Sequence, residues 1–295
     1  MNIFDSNKME CICCQSNRII AQAIALREYY KCLFCGFTFA SEKTDNNFRD
    51  IVSSHYQSVD PHEQIAASKQ SFFKFTLDYL ASEIKADTRS ILDVGCGFGY
   101  FLESASKHGW DTYGVEITDA AVQGARRKIG EANIFHGSLR EAYYSDECFD
   151  TITLWDVLVM VDSPFEELKE CFRILKRRGK IGIRVRNVLF QKMTYTIYFP
   201  FRTVASWLNI RKPYVFHRYN FTAKSLRLLL QRLGFSRIQV TNSPLTEGDP
   251  YSHTRIGKLT GFLKSSIDIV GRVLFQISGG RLLTGPSLLI WAEKL

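Results

Sequence analysis

The sequence predicts an α/β protein, a doubly wound and mostly parallel sheet with a small module ahead of it. Three observations carry that expectation. From Ser90 onward, short apolar runs alternate with amphipathic helical runs. The first of these strands ends in a glycine-rich turn, Gly95-Cys-Gly97-Phe-Gly99. Two C-x-x-C pairs stand near the start of the chain, a pattern that a reduced protein uses for metal rather than for disulfides.

The bulk composition agrees. The chain has 295 residues, 45% hydrophobic and 23% charged, enough to bury a full core without disulfide staples. Wholesale disorder, collagen and a small disulfide scaffold are excluded. The net charge of +8 suits an anionic partner or surface and is equally ordinary for a soluble protein. Met1 to Cys14 is polar and lacks the apolar stretch of a signal peptide. The two most apolar stretches, 188–210 and 259–277, are broken by Lys192, Pro200 and Arg202 and by Lys264, Asp268 and Arg272. Neither reaches spanning length, so a reducing cytoplasmic setting is expected.

The first module is expected over residues 1–45. Seventeen residues separate Cys11 and Cys14 from Cys32 and Cys35, within the window for a zinc ribbon. Gly36 follows the second pair, where a knuckle needs positive φ. Ile19-Ile20 and Phe37–Phe39 read as flanking strands, and Cys13 as a bystander. Four thiolates would close the coordination of a Zn2+ ion, which makes the site structural.

Residues 46–88 read as a linker and lid helix. Asp60 can cap that helix, Pro61 suits its first position, and Phe72, Phe75, Leu77 and Leu80 recur along it. The main domain, 89–295, then runs in order. Ser90–Val94 is a strand. Tyr100–His108 is a helix stopped by Gly109. Asp111–Val115 is a strand, and Asp119–Ile129 a helix behind Thr118. Asn133–His136 and Asp150–Trp155 are strands. Ser163-Pro164 with Glu166 and Glu167 starts a helix that runs to about Lys176. Lys180–Val185 is a strand, Thr222–Leu233 a helix closed by Gly234, and Ser236–Thr241 and Ser287–Ala292 are strands. Right-handed crossovers then place ligands at the carboxyl ends of the strands. Insertions are expected at 188–214 and 246–284.

The glycine turn departs from a dinucleotide fingerprint, because its third glycine is Gly99 and position 100 is Tyr. A nucleoside with an amino-acid tail suits this spacing better than a pyrophosphate does. Glu116 ends the second strand about twenty residues on, where an acid can take both ribose hydroxyls. With these residues, the segments Ile91–Gly99, Gly114–Glu116, Phe149–Asp156 and Ile174–Gly179 resemble the class I S-adenosylmethionine-dependent methyltransferases. The resemblance spans Ser90 to Leu295. It implies a seven-stranded sheet whose last strand, Ser287–Ala292, runs antiparallel. It also implies S-adenosylmethionine bound along Asp93, Gly95, Cys96, Gly97, Gly99 and Tyr100. Glu116 would hold the ribose and Ile117 would lie against adenine. Ser138 and Leu139 stand where such enzymes often carry an adenine-contacting acid, which is missing here. Trp155 and Asp156 would face the transferred methyl group.

The acceptor is less legible. No Asn/Asp-Pro-Pro-aromatic loop follows the fourth strand, which disfavours nucleobase nitrogens. Similar enzymes often read Trp-Asp-Val-Leu-Glu-His there, whereas this chain reads Trp155-Asp-Val-Leu-Val-Met160. His217, before a capped helix, is the candidate general base, with Asp156 as the second catalytic candidate. His55-Tyr56 could belong to a lid. Leu259, Phe262, Leu263, Val270, Val273, Leu274 and Ile277 fall on one helical face flanked by Lys258, Lys264, Arg272 and Arg281, which could meet an anionic membrane or pack on protein. The leading expectation is methylation, at oxygen, of a small-molecule, sugar or lipid-linked glycan acceptor. The alternatives are an RNA methyltransferase that grips nucleic acid with its ribbon, and a module that keeps the fold but transfers nothing.

Overall fold

The computed structural model describes residues 9–41, 69–84, 89–207, 214–244, 275–279 and 282–295. The expected lid around His55-Tyr56, the Asp60 cap with Pro61, and most of the 255–277 helix with its flanking cations lie outside them.

The amino-terminal module is an antiparallel sheet of β1 (Ile19–Ile24), β2 (Arg27–Cys32) and β3 (Thr38–Ala40). The sequence pattern marks the two ends of this sheet but not β2, which carries three charged residues and whose first two positions are exposed. The main domain opens with α1 (Gln70–Glu83), which buries Phe72, Phe73, Leu77 and Leu80. There follow β4 (Ser90–Val94), α2 (Tyr100–Lys107), β5 (Asp111–Glu116), α3 (Asp119–Ile129), β6 (Ile134–His136) and β7 (Phe149–Trp155). Next come α4 (Pro164–Ile174), β8 (Leu175–Arg186), α5 (Val188–Tyr198), α6 (Arg202–Trp207), β9 (Tyr219–Asn220), α7 (Ala223–Arg232), β10 (Phe235–Asn242) and β11 (Ser287–Lys294).

Seven strands form one sheet in the order β10-β11-β8-β7-β4-β5-β6. β11 runs antiparallel to both of its neighbours, and every other described pair is parallel. The two-residue period of β4 sends Ile91 to one face and Leu92 to the other. Ile91 joins Phe72 and Leu80 of α1 and Leu102 of α2, while Leu92 joins Leu168 of α4 and Leu229 of α7. Helices therefore cover both faces, as the alternating pattern predicts. Caps explain two of the helix starts. The Ser163 hydroxyl accepts from Glu166 N–H ahead of Pro164, and Thr222 forms a reciprocal capping box with Ser225. Thr118 stands at the start of α3, but its side chain makes no capping bond.

Two boundaries differ from expectation. The helix predicted to reach Lys176 ends at Ile174, and the next strand begins at once at Leu175 rather than at Lys180. Leu175 pairs with Phe149, the register then shifts, and Arg178 sits at φ 62°. The strand thus passes through a bulge that a helical run of basic residues disguises. The second difference is β9, which pairs with β3 and adds a fourth strand to the small sheet.

β9 ties the module to the main domain. Ala40 N–H donates to Arg218 O at 2.8 Å, and the Phe37 and Phe221 rings meet at 5.0 Å. The second cysteine knuckle rests on the start of α7. There Thr222 Oγ1 donates to Cys35 O at 2.6 Å and Lys224 Nζ to Phe34 O at 2.6 Å. A Cβ on Gly36, at φ 77°, would stand 2.9 Å from Thr222 Cγ2, so this approach needs glycine.

Candidate active site

The strand order reverses between β4 and β7, which leaves a crevice at their carboxyl ends. The glycine turn lies there. Gly95, Gly97 and Gly99 all have positive φ, at 68°, 55° and 74°. A Cβ on Gly95 would come within 2.5 Å of Val157 Cγ2 across the crevice, so both the turn and the close approach require glycine. Gly95 and Cys96 N–H both donate to Val115 O, which hooks the turn over the end of β5.

Glu116 closes that hook. Its buried carboxylate accepts from Gly97, Ile117 and Thr118 N–H, each at 2.9 Å. Ile117, beside it, is 65% exposed, an apolar platform at the crevice mouth. Asp93, one residue inside the end of β4, is buried and accepts from Thr153 Oγ1 at 2.7 Å. Burial pushes its carboxyl up to about 7, against the opposing pull of Thr153 and of nearby Lys69.

Other expected contacts stand differently. Cys96 turns its thiol toward Gly114, where an added Cβ would lie 2.7 Å from the sulfur, so it offers the crevice backbone only. The Tyr100 ring lies beside Phe98 and under Lys128 Nζ. Leu139 is buried in the core. Ser138 gives both its N–H and its hydroxyl to Glu141, at 2.8 and 2.7 Å. Trp155 points into the sheet-face core, edge-on to Phe72 at 5.0 Å and Phe101 at 5.4 Å, and its Nε1 is buried with no partner among the described residues.

Asp156 marks the far side of the crevice, held at φ 65°. Its Oδ2 accepts from Arg184 at 3.1 Å and Lys69 at 3.4 Å. Burial would raise its pKa, but Arg184, Lys69 and Arg186 outweigh burial and hold it at about 2. A carboxylate so acidic is a poor proton acceptor at neutral pH. Lys69 and Arg184 were not singled out in the sequence, because nothing local to residue 69, 156 or 184 announces the others. His217 lies in the segment that leads to β9. Its backbone exchanges hydrogen bonds with the Asn220 side chain, and Tyr219 N–H reaches Val159 O at 3.0 Å, so this segment abuts the loop after β7.

A second cavity, of about 870 Å3, opens at the opposite edge of the sheet. It is lined by Arg140, Glu166, Glu170 and Arg173, whose charges already pair with one another.

The cysteines converge as their spacing predicts. The sulfurs of Cys11, Cys14, Cys32 and Cys35 lie within 4.8 Å of one another, and the Cys11–Cys35 and Cys14–Cys32 pairs are 3.6 Å apart. Thiolates on a tetrahedral zinc ion, each at about 2.3 Å, sit about 3.8 Å from one another, so the tetrad could hold that ion. Cys13 is buried beside it and outside it.

A family model described as a methyltransferase domain matches residues 63–240, more than half of the chain. The chain belongs to this methyltransferase family. Among curated relatives, a ubiquinone biosynthesis O-methyltransferase of Coxiella burnetii is 29% identical over 125 residues, 41% of this chain and 53% of the relative. The same enzyme of Alkalilimnicola ehrlichii is 32% identical over 117 residues, 38% of this chain and 47% of the relative. The chain spans about half the length of the curated relatives it matches. Among solved structures, the plantazolicin methyltransferase BpumL with SAH (S-adenosylhomocysteine) has a TM-score of 0.52 at 18% identity, covering 85% of this chain and 93% of that one. A Thermotoga maritima methyltransferase, described as a possible histamine N-methyltransferase, has a TM-score of 0.50 at 17% identity, covering 84% and 98%. At these identities the likeness shows the fold, the seven-stranded methyltransferase sheet.

Proposed function

We propose that the protein transfers the methyl group of S-adenosylmethionine to an oxygen of a small-molecule, sugar or lipid-linked glycan acceptor. The observation that carries this reading is the set of three left-handed glycines closed by Glu116 at the ends of β4 and β5, beside the topological switch point, in a chain of the methyltransferase family. When bound, S-adenosylmethionine supplies an electrophilic methyl group on a sulfonium centre. The protein's part is then mainly alignment, with a base where the acceptor must lose a proton.

The residues fit that cofactor. Gly95 packs on Val157 and Gly99 on Ala125 too closely for side chains, so the turn presents backbone to a cofactor, with the Cys96 and Tyr100 backbone completing its rim. Glu116 can accept ribose hydroxyls by releasing the Gly97 N–H, since a carboxylate offers about four acceptor sites and three are in use. Exposed Ile117 suits an adenine face, and Ser138 and Leu139 can contribute backbone only. Asp93, once ionised, would attract the cofactor's ammonium group. Trp155 supports the floor of the crevice from within. Asp156 orients Lys69 and Arg184 rather than taking a proton, which leaves His217 as the candidate base.

The O-methyltransferase relatives support oxygen as the acceptor atom. A second observation favours a lipid-linked acceptor or a peripheral membrane surface. Leu189, Met193 and Ile197 recur every fourth residue along α5 and are exposed, as are Phe201, Val204 and Trp207 beyond them. No helix among the described residues is long and apolar enough to cross a membrane. Phe37 of the small module is spent on Tyr219 and Phe221, which argues against a stacking platform for RNA there.

The test uses isotope-labelled S-adenosylmethionine with a panel of phenolic, sugar and amine acceptors. Label on oxygen that is lost in His217→Ala is the expected result. Label on nitrogen would overturn the oxygen assignment. Sedimentation with liposomes of neutral and anionic lipid tests the apolar ridge. Binding that Ile197→Glu abolishes supports it, and no binding removes it.

A further inference from the structure

The corner at the carboxyl ends of β7 and β8 carries more positive charge than the fold needs. Among the described residues, Lys69 and Arg184 both pair with Asp156, Arg186 lies near enough to act on it, and Lys69 also faces the buried Asp93. Arg184 and Arg186 are two apart on β8 and so point to the same face. Arg184 is nearly fully buried, at 8% side-chain exposure, and spread over the Phe72 ring at 4.9 Å. Its NH1 holds Asp156, yet its Nε is buried with no partner among the described residues. Arg186 ends the strand, where its backbone pairs with Ser287, and its exposed side chain makes no hydrogen bond or ion pair within the described residues. A buried guanidinium with an unspent donor costs free energy unless something supplies the missing acceptor. The crowding also shows on Lys69. Burial pushes its ammonium down, Asp156 opposes this, and the two arginines add to the push.

We propose that Lys69, Arg184 and Arg186 form a receptor for an anionic group, a carboxylate or a phosphate, carried by the methyl acceptor. The proposal rests on the methyltransferase reading, because it places the anion beside the crevice where transfer would occur. Arg186 offers a planar fork for two oxygens of such a group. Asp156 keeps Arg184 and Lys69 in place from the side opposite the anion. The acceptor would be an acid such as a uronic acid, a hydroxy-aromatic carboxylate or a phosphorylated lipid carrier. A neutral alcohol would not satisfy the corner.

The carboxylate of the cofactor itself is the competing source of negative charge, and the experiment separates the two. S-adenosylhomocysteine affinity is measured first on the full-length zinc-loaded protein, so failure of the methyltransferase reading would show at that step. Inorganic pyrophosphate is then titrated calorimetrically into protein saturated with S-adenosylhomocysteine. The expected result is saturable binding that weakens roughly 10-fold in Arg186→Gln and by a smaller factor in Arg186→Lys, which keeps the charge but loses the fork, while S-adenosylhomocysteine affinity changes less than about 2-fold. Equal pyrophosphate binding by wild type and Arg186→Gln would overturn the proposal, as would no binding at all. Pyrophosphate binding only in the absence of S-adenosylhomocysteine, with Arg186→Gln weakening the latter, would assign the corner to the cofactor and also overturn it. Arg186 is exposed, so these variants are expected to fold. Their thermal unfolding, checked alongside, should match wild type.

Discussion

The two sides of the crevice lie at the same edge of one sheet and are built in different ways. On the side of β4 and β5, Gly95, Gly97, Gly99 and Glu116 come from one stretch of about twenty residues, joined by backbone hydrogen bonds. On the side of β7 and β8, the groups proposed to act are Lys69, Asp156, Arg184 and the segment around His217, from four separate parts of the chain, joined by charge and by the docked module. The first side is fixed by local backbone conformation. The second depends on everything that holds those four parts together. Damage to the scaffold should therefore reach the acceptor side first.

The largest expected effect tests that difference. Cys32→Ser, or stripping metal with a chelator, should release the module from α7 and lower Tm by at least about 10 °C. At temperatures where the sheet survives, transfer should be lost while S-adenosylhomocysteine still binds. Equal loss of both would erase the distinction. Gly95→Ala should do the reverse. Its Cβ meets Val157 at 2.5 Å in a left-handed conformation, a strain of roughly 1–3 kcal/mol, so cofactor affinity should fall at least about 10-fold while Tm drops by only about 2–8 °C.

Two smaller effects compare the acids of the two sides, which shift in opposite directions. Asp93 titrates at about 7 in the fold and near 3.9 when unfolded, so between those values the folded chain binds the extra proton. Stability should fall as pH rises from about 4 to about 7, by roughly 2–4 kcal/mol, and Asp93→Asn should flatten that slope in urea titrations. Asp156 titrates at about 2, below its unfolded value. Its contribution is present above about pH 4 and is lost as pH falls toward 2. About a third of its side chain is exposed, so Asp156→Asn should cost only about 1–2 kcal/mol at neutral pH. Acid unfolding of that variant should be shallower than that of wild type.

The same contrast explains what was legible in the sequence. The cysteine tetrad, the glycine turn, Glu116 and the Ser163 and Thr222 caps each lie within a short window, where spacing alone fixes geometry. β9 was missed because two residues carry no periodicity, and only β3 makes them a strand. Trp155 and Leu139 were placed at the cofactor by position in a motif, yet both point into the core. Strand alternation decides that, and a motif does not state which face it counts from. Lys69 and Arg184 gave no signal, since their partner Asp156 is 87 and 28 residues away. The register bulge in β8 hid behind Lys176, Arg177 and Arg178, whose charges read as the end of a helix.

The most direct measurement is native mass spectrometry of the protein with and without S-adenosylmethionine, repeated on Glu116→Ala. One zinc ion and one cofactor per chain are expected for wild type. In Glu116→Ala the zinc should stay and cofactor affinity should fall roughly 100-fold, the loss of two hydrogen bonds to a charged group. Zinc without cofactor in wild type at saturating concentration, or undiminished cofactor binding in Glu116→Ala, would contradict the assignment of this crevice to methyl transfer.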